Sequence, residues 1–401
     1  MKFLRTASTR RLLATIAGVV AVIAAGTAIA VAASGKGPVP NKEGLAQAAH
    51  AALAAPPPQG ISARIKFTNH LIDASNIQGS DPILSGATGR LWLSSNHQMR
   101  LELQGDNGDA QAVVNGGSFW VYDPTSNTVY KGKLPAERSG SASKPKAGKE
   151  GVPSVAQIKS DIARLIAHVD LSGAIPSDVA GRAAYTVRVS PKHDGGLLGA
   201  GELAWDAARG VPLRVAVYAR NDSSPVLQLK ATNISYGPVA ASTFTISPPP
   251  SAKVVTVSTP GGGAADHGAK RDAGKRHAKI TGAAAVARHL PFALKAPKSL
   301  VGLRRQSVML LDWNGSPAAL VTYGQNVGGI AVIEQTAKAG ASSQTGDHQG
   351  LSLPTVSING ATGQELDTAL GTMIRFTRNG VSYTVVGSVP PTAADLAARA
   401  L

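Results

Sequence analysis

Apolar and polar residues alternate in several short stretches of the chain between residues 60 and 257. Every second position from Ile61 to Phe67 is apolar, and the same period recurs from Met99 to Gln104 and from Tyr185 to Val189. Turn-forming residues such as Asp106-Asn107-Gly108 separate the stretches. A period of two is typical of strands that bury one face. The pattern therefore predicts a meander of antiparallel strands with one apolar face.

Three segments follow the period of a helix instead. Asn41 to Ala55 is rich in alanine and is followed by prolines, which cannot continue a helix. Ser154 to Val169 begins with a capping serine and carries Gln157 at the reciprocal capping position. Its apolar stripe consists of Val155, Ile158, Ile162, Leu165, Ile166 and Val169. A last helix is predicted from Thr392 to Leu401, after Pro390-Pro391.

The order of these elements predicts a chain that is mainly β with helices (α+β) and has two folded units. The larger unit covers residues 41–257, residues 258–279 form a basic flexible linker rich in Gly and Ala, and residues 280–401 form a smaller α+β domain. The strands predicted in the smaller domain lie at Val308–Leu311, Ala319–Tyr323, Ile330–Glu334, Met373–Thr377 and Ser382–Val386.

Residues 1–34 have the pattern of a signal peptide or of an N-terminal membrane anchor. Four basic residues precede Leu12 to Ala33, an uncharged apolar run that as a helix would span ~33 Å, the thickness of a bilayer core. Bases before the run predict that the remainder of the chain is exported. Small residues at Ala28 and Ala30 offer a cleavage site, so the chain is either membrane-anchored or secreted.

Composition excludes several function classes. The chain contains no cysteine, which excludes disulfides, thiol catalysis and an acylated cysteine. The formal net charge is +16, but much of it lies in two Gly-, Ser- and Ala-rich segments, 131–150 and 266–279, and aromatic residues make up only 4%. A nucleic-acid interface combines bases with aromatics on a folded face. We therefore expect no nucleic-acid partner. The positive charge is better explained by solvated linkers that lie near an anionic membrane or wall polymer.

Three motifs in order resemble the LolA-like lipoprotein carriers and their relative RseB, over residues from about 44 to 255. Gly89-Arg90-Leu91-Trp92-Leu93 resembles a Gly-x-Leu-Trp-Val strand of that family. Gly117 to Pro124 resembles its Gly-Lys-x-x-Trp-x-Tyr-Asn/Asp-Pro hairpin, and Phe244 to Pro249 resembles its closing strand. The C-terminal unit resembles a small domain often appended to LolA-like and anti-sigma-linked envelope proteins.

The resemblance implies a curved antiparallel half-barrel sheet covered by helices, with a hollow that holds acyl chains and performs no covalent chemistry. In this family an arginine near the early strands holds the lid closed, and both Arg90 and Arg100 lie in that region. A membrane anchor and the basic loop from Gly132 to Pro153 depart from the family pattern. An anchored chain would not shuttle as a free soluble carrier does.

Lipid binding is expected on the face formed by alternate apolar positions of the strands, and the helix from Ser154 to Val169 is expected to act as its lid. The residues predicted to bind an acyl chain are Ile65, Phe67, Leu91, Leu93, Met99, Leu101, Leu103, Val187, Leu213, Val215 and Val217. The lid residues are Ile158, Ile162, Leu165 and Ile166. The pattern does not assign a face to Trp92, Trp120 or Tyr122.

Three functions remain open at this stage: a lipid or lipoprotein carrier, an RseB-like regulator that senses envelope lipid and binds an anti-sigma-type membrane protein, or a structural surface protein. An enzyme is not expected, because no nucleophile, acid and base converge in the sequence, and we expect no cofactor and no metal. Ser141-Ala142-Ser143-Lys144 matches a serine–lysine pattern only within a flexible-looking loop. Gly195 to Gly201 lies between strands, which favours a hairpin tip over a phosphate-binding loop.

Overall fold

The computed structural model describes residues 37–72, 81–106, 108–134, 152–192, 196–257, 280–313, 316–325, 327–337 and 353–401. The apolar run from Leu12 to Ala33, the Ser141–Lys144 pattern and the linker 258–279 lie outside these ranges, as does most of the loop from Gly132 to Pro153. Four α-helices occur within them: α1 Leu45–Ala54, α2 Val155–Leu165, α3 Ala283–Ala287 and α4 Pro391–Arg399.

The strands of the described residues fall into two sheets. The first contains β1 Gly60–Asn69, β2 Ala87–Ser94, β3 Met99–Leu103, β4 Ala110–Asn115, β5 Ser118–Asp123, β6 Thr128–Lys133, β7 Val169–Leu171, β8 Ile175–Val179, β9 Arg182–Pro191, β10 Leu198–Asp206, β11 Pro212–Ala219, β12 Pro225–Tyr236 and β13 Lys253–Thr256. The second contains β14 Ser299–Leu300, β15 Leu303–Trp313, β16 Ser316–Tyr323, β17 Ile330–Thr336, β18 Thr355–Ile358, β19 Ala361–Thr368, β20 Gly371–Arg378 and β21 Val381–Gly387.

The first sheet is a curved half-barrel, antiparallel except for the β13–β6 pair, as the family resemblance implied. Its strand order is β13-β6-β5-β4-β3-β2-β1-β12-β11-β10-β9-β7, with β8 paired to β9, so two meanders meet where β1 pairs with β12. A bulge between Arg64 and Ile65 interrupts that central pairing. Bulges bend a strand and increase its twist, which favours curvature of the sheet.

The predicted closing strand from Phe244 to Pro249 is wrong. Residues Ala241–Phe244 form a 3-10 helix, and the next strand of the sheet is β13, which pairs in parallel with β6. Prolines at 248–250 have no N–H group to donate to a ladder, so this stretch cannot pair as an interior strand.

The second sheet has the order β14-β15-β16-β17-β21-β20-β19-β18, with antiparallel pairs throughout the described strands. Helix α4 packs on β20 and β21, and its Ala394, Ala397 and Ala398 are fully buried in the core of this sheet. The pair β18–β19, which the sequence analysis did not predict, is joined by Asn359 and Gly360, both with positive φ. Asn-Gly in this conformation matches the right-handed twist of a hairpin.

Two backbone hydrogen bonds between described residues join the sheets. The amide of Ala369 donates to the carbonyl of Leu71 at 2.9 Å, and the amide of Leu197 donates to the carbonyl of Ser388 at 3.1 Å. The Ser388 hydroxyl also accepts from the Leu197 amide and donates to the carbonyl of Leu370. Leu71 follows β1 and Leu197 precedes β10. The loops at this end of the first sheet therefore contact the segments at Ala369 and Ser388 of the second sheet.

Candidate functional site

Strand register places the predicted lipid-binding residues of β1, β2 and β3 in rows on one side of the first sheet, here called the inner face. Leu91 lies opposite Ala63 and Leu101, and the row continues through Ala112 and Val121. The next row runs through Ile61, Leu93, Met99, Val114 and Phe119. Directly opposed residues point to the same side of a sheet, so each row is a continuous apolar strip.

The same face continues across the second meander. Phe67 lies opposite Leu229, which in turn lies opposite Val215. Val215 and Val187 both lie opposite Leu203, and Val217 is two residues along β11 from Val215. Leu213 stands at a register shift between β10 and β11, where it packs with Ile65 and Leu103. The inner face therefore unites predicted residues from strands that are far apart in sequence.

The packing divides the predicted residues into two groups. Ile65, Leu103 and Leu213 are buried in one cluster, with Phe67, Leu91 and Leu101 partly buried around it. Val187 and Val215 belong to a second cluster with Tyr185, Leu203 and Trp205. Helix α1 covers this second cluster through Leu45, Ala48 and Ala52. The Tyr185 hydroxyl fixes the segment before α1 by donating to the carbonyl of Asn41 at 2.7 Å.

The helix that lies directly on the inner face is thus α1, whose covering role the sequence analysis missed. Its spacing of Leu45, Ala48 and Ala52 is the helical period of three and four that could have indicated a contact face. Small alanines allow the helix to approach the sheet closely. The cover over β9–β11 is therefore thin and rests on few side-chain atoms.

The predicted lid helix is shorter than expected and lies against α1. Ser154 caps α2 by accepting from the amide of Gln157 at 3.2 Å, as predicted, but the helix ends at Leu165 and Val169 begins a strand. None of its residues is fully buried. Leu165 packs with Val169, Leu171 and Val189, whereas Ile158 and Ile162 are half-buried and Ile166 is 42% exposed. The role of α2 as a lid stays a prediction.

The inner face of β2–β6 is open to solvent in part. The side chains along its two rows are only half-buried, in contrast to Ile65 and Leu103, which are 3% and 7% exposed. The half-buried set is Leu91, Leu93, Met99, Leu101, Ala112, Val114, Phe119 and Val121. Tyr130, at the end of one row, is 39% exposed. An apolar strip of this length that the described residues do not fully cover is the candidate site.

Trp92, Trp120 and Tyr122 belong to the opposite, outer face, whereas Phe119 of the same hairpin lies on the inner face. Trp92 lies opposite Arg100, and Trp120 lies opposite Val113, which is 2% exposed. The 3-10 helix covers this region: it packs on β3 and β4, and its Phe244 is 1% exposed. The two motif tryptophans therefore belong to the outer layer and not to the candidate site.

Neither candidate lid-holding arginine faces the hollow. Arg100 stacks over the Trp92 ring with its Cζ 5.2 Å from the ring centroid, pairs with Glu102 and donates to the carbonyl of Thr243 at 3.3 Å. Arg90 lies between Gly89 and Leu91 on β2 and is exposed on the same outer face. Arg100 thus holds the 3-10 segment onto the sheet, so the family's lid-locking role does not carry over to either residue.

Buried ionisable groups also occur in the first sheet, and such groups can mark a catalytic site. Glu202 is 1% exposed, forms an ion pair with Arg214 at 2.6 Å and accepts from the Tyr218 hydroxyl at 3.4 Å. Arg188 stacks 4.1 Å from the Tyr218 ring centroid. Burial, and then the Glu202 charge, raise the pKa of Tyr218. This cluster has partners for its charges and no nucleophile within it, so we assign it to stability.

Glu334 in the second sheet is fully buried. One carboxylate oxygen accepts from the amide of Lys295 at 2.9 Å, and the other has no hydrogen-bond partner among the described residues. Burial raises the pKa of this carboxyl from 4.5 to about 7. The described residues contain no group of His, Asp and Glu that could hold a metal ion. None of the described helices is long and apolar enough to cross a membrane.

The chain matches no protein-family model and no curated protein. It is similar to the complex structure of Pseudomonas aeruginosa MucA/MucB, with a TM-score of 0.39 and 16% identity over 88% of this chain and 94% of that chain. It is also similar to a putative outer membrane lipoprotein-sorting protein domain from Vibrio parahaemolyticus, with a TM-score of 0.20 and 13% identity over 50% of this chain and 94% of that one. A LolA superfamily protein from Nitrosomonas europaea gives a TM-score of 0.20 and 9% identity over 51% and 99% of the two chains. The similar structures thus include lipoprotein-sorting and LolA-superfamily proteins, the kind of protein that the motifs resemble, but likeness at this level carries no ligand or partner to this chain.

Proposed function

We propose that this chain is a non-catalytic protein of the cell envelope that binds a lipid or lipoprotein acyl chain on the inner face of its first sheet. The observation that carries the proposal is the strip of half-buried apolar side chains across β2–β6, continuous in register with the buried core at Ile65 and Leu103. A ligand with a long apolar chain would remove this strip from water.

The energy available is sufficient for stable binding. Each methylene group moved out of water contributes about 0.8 kcal/mol, so a chain of about sixteen carbons contributes roughly 12 kcal/mol before ordering costs. Displacing α1, which contacts the sheet mainly through alanines, would extend the site over Val187 and Val215. Helix α2 lies on α1 and would move with it, so we propose that the two helices together form the lid.

The test is binding of a fluorescent fatty-acid probe to the full chain and to two variants. Leu101→Asp places a carboxylate without a partner in the middle of the strip and is expected to abolish the binding that depends on this face. Gln104→Asp adds the same charge at an exposed position of the same segment and should leave binding unchanged. Ile162→Ala, which shortens a half-buried side chain of the proposed lid helix α2, should leave binding intact or strengthen it.

Circular dichroism must show that the Leu101→Asp protein is folded, since a carboxylate near the core can also unfold the sheet. The N-terminal apolar run is common to all variants, so any probe that it binds is a constant background. If folded Leu101→Asp binds the probe as Gln104→Asp does, or if the parent binds none, the acyl-chain site is refuted.

The location is part of the same proposal. The bases before the apolar run from Leu12 to Ala33 favour export of everything after Ser34, with the chain anchored by that run or secreted after cleavage. A reporter that is active only outside the cytoplasm, fused after Leu401, should be active. A fusion that is inactive there, while a cytoplasmic reporter at the same position works, would refute export.

A regulator that binds a membrane protein remains the second function to be tested. Purification of the chain from membranes, followed by mass spectrometry of proteins and extracted lipids, separates the two. Bound lipid without a protein partner supports the carrier, and a stoichiometric membrane protein supports the regulator. Recovery of neither favours a structural surface protein without a ligand.

A further inference from the structure

Strand register places basic residues directly opposite one another on the outer face of the first sheet. Arg64 of β1 lies opposite Arg90 of β2. In the next row, Lys66 lies opposite Lys230 of β12, which lies opposite Arg214 of β11. Like charges at directly opposed positions destabilise a sheet, because their Cβ atoms are only about 5 Å apart. The arrangement therefore does not contribute to the stability of the fold.

Four of these charges are not neutralised by the protein. Glu202 pairs with Arg214, and the other nearby acid on this face, Glu102, pairs with Arg100. The remaining residues form no ion pair with any other residue that the structure describes, and we call them the basic patch: Arg64, Lys66, Arg90 and Lys230. Neighbouring strands are about 4.8 Å apart and alternate residues about 7 Å apart, so the patch covers roughly 10 Å by 7 Å.

The basic patch is accessible. Arg64, Lys66 and Arg90 are exposed, and Lys230 is half-buried. Two uncharged exposed side chains adjoin it: Thr88 lies opposite Lys66, and Asn233 lies opposite Arg64. Glu102 lies opposite Arg90 at the β3 side of the patch and is ion-paired with Arg100, whereas the four positions of the patch themselves carry only positive charge.

We propose that the basic patch lies against the anionic headgroups of the membrane to which the N-terminal run attaches the chain. Seven residues, 34–40, separate Ala33 from Asn41, whose carbonyl Tyr185 holds, and an extended chain of that length reaches at most about 28 Å. An anchored first sheet is therefore held close to the lipid surface, where each Lys or Arg adds attraction to anionic lipid. The inner face, on the other side of the same sheet, then opens away from the bilayer. The proposal rests on the anchor, not on acyl-chain binding.

A label on the outer face tests this contact. The chain has no cysteine, so Thr88→Cys gives a single attachment point for a polarity-sensitive dye beside the basic patch. The full labelled chain is reconstituted into vesicles of phosphatidylcholine, or of an equal mixture of phosphatidylcholine and phosphatidylglycerol. We expect a blue shift of dye emission only on the mixed vesicles, lost at about 1 M salt, where the Debye length falls to about 3 Å.

Two quadruple variants provide the comparison, each with four bases replaced by glutamine. In the first variant the basic patch is removed (R64Q/K66Q/R90Q/K230Q). The ratio of first sheets lying against the lipid surface to first sheets detached from it should fall about a hundredfold or more, and the blue shift of the dye should be lost. The matched control removes four exposed bases from the C-terminal unit (R288Q/K298Q/R304Q/R375Q) and should retain it.

The proposal is overturned if the patch variant shifts like the parent, if both vesicle types give the same shift, or if the mixed vesicles give none. The last result would be expected if the patch binds an acidic protein segment instead. Probe binding to the inner face is measured separately, so failure of one proposal does not decide the other.

Discussion

The buried carboxyl of Glu334 predicts an unusual dependence of stability on pH. Desolvation raises its pKa from 4.5 to about 7, and the single hydrogen bond from the Lys295 amide offsets this only in part. Tyr323 and Tyr383 face the same region, with raised pKa values of their own, and neither supplies a positive charge. The folded protein therefore binds a proton between about pH 4.5 and 7 that the unfolded chain has released.

The sign and size follow from this difference. Because the folded state holds more protons in that range, the contribution of Glu334 to stability is fully present below about pH 4.5, falls as pH rises to about 7, and stays constant above that. A shift of one pKa unit corresponds to 1.36 kcal/mol, so the second sheet should lose about 3 kcal/mol across this interval. Most paired acids act in the opposite direction, since their folded pKa is lowered.

Glu334→Gln tests the prediction, because a neutral amide of the same shape resembles the protonated acid. We expect the variant to match the parent near pH 4.5 and to exceed its stability by up to about 3 kcal/mol at pH 8. Hydrogen exchange of β17 peptides in increasing urea would measure the opening of this sheet. Asp109→Asn, at an exposed position before β4 of the first sheet, should keep the parent's pH slope for β17. Parallel slopes for parent and Glu334→Gln would refute the reasoning.

Two further substitutions test how the layers and sheets are held together. Phe244→Ala removes a side chain that is 1% exposed from the outer layer and should lower the free energy of unfolding by about 3–5 kcal/mol in urea titrations, whereas Val254→Ala, at a site 50% exposed, should change it little. Gly196→Ala would place a Cβ 2.0 Å from the Ser388 carbonyl and should release the Leu197 amide, seen as faster hydrogen exchange. Gly173 has a similar positive φ, but a Cβ added there would meet no atom within 4 Å, so Gly173→Ala is the control. Equal exchange rates of the Leu197 amide in the two variants would contradict the proposed clash.

Periodicity alone predicted which residues share a face, because the side chains of a strand alternate whatever the strand pairs with. The inner-face positions of β1, β2 and β3, the serine cap of α2 and the last helix all follow from local pattern. The Asn359-Gly360 hairpin was also present in the sequence as a turn signal. It was overlooked because the flanking strands are short and partly polar.

Periodicity could not predict which distant strands pair or which segments cover each face of the sheet. The parallel docking of β13 on β6, the covering of the inner face by α1 and the burial of Phe244 on the outer face bring together residues more than a hundred positions apart. Such contacts depend on how a sheet curves and closes, and a bulge of one residue at Arg64/Ile65 is enough to change that. The sequence also does not show that four basic residues form a group, namely Arg64, Arg90, Lys66 and Lys230. They become one surface only when three strands pair in register, because cross-strand distance, not sequence separation, sets their interaction.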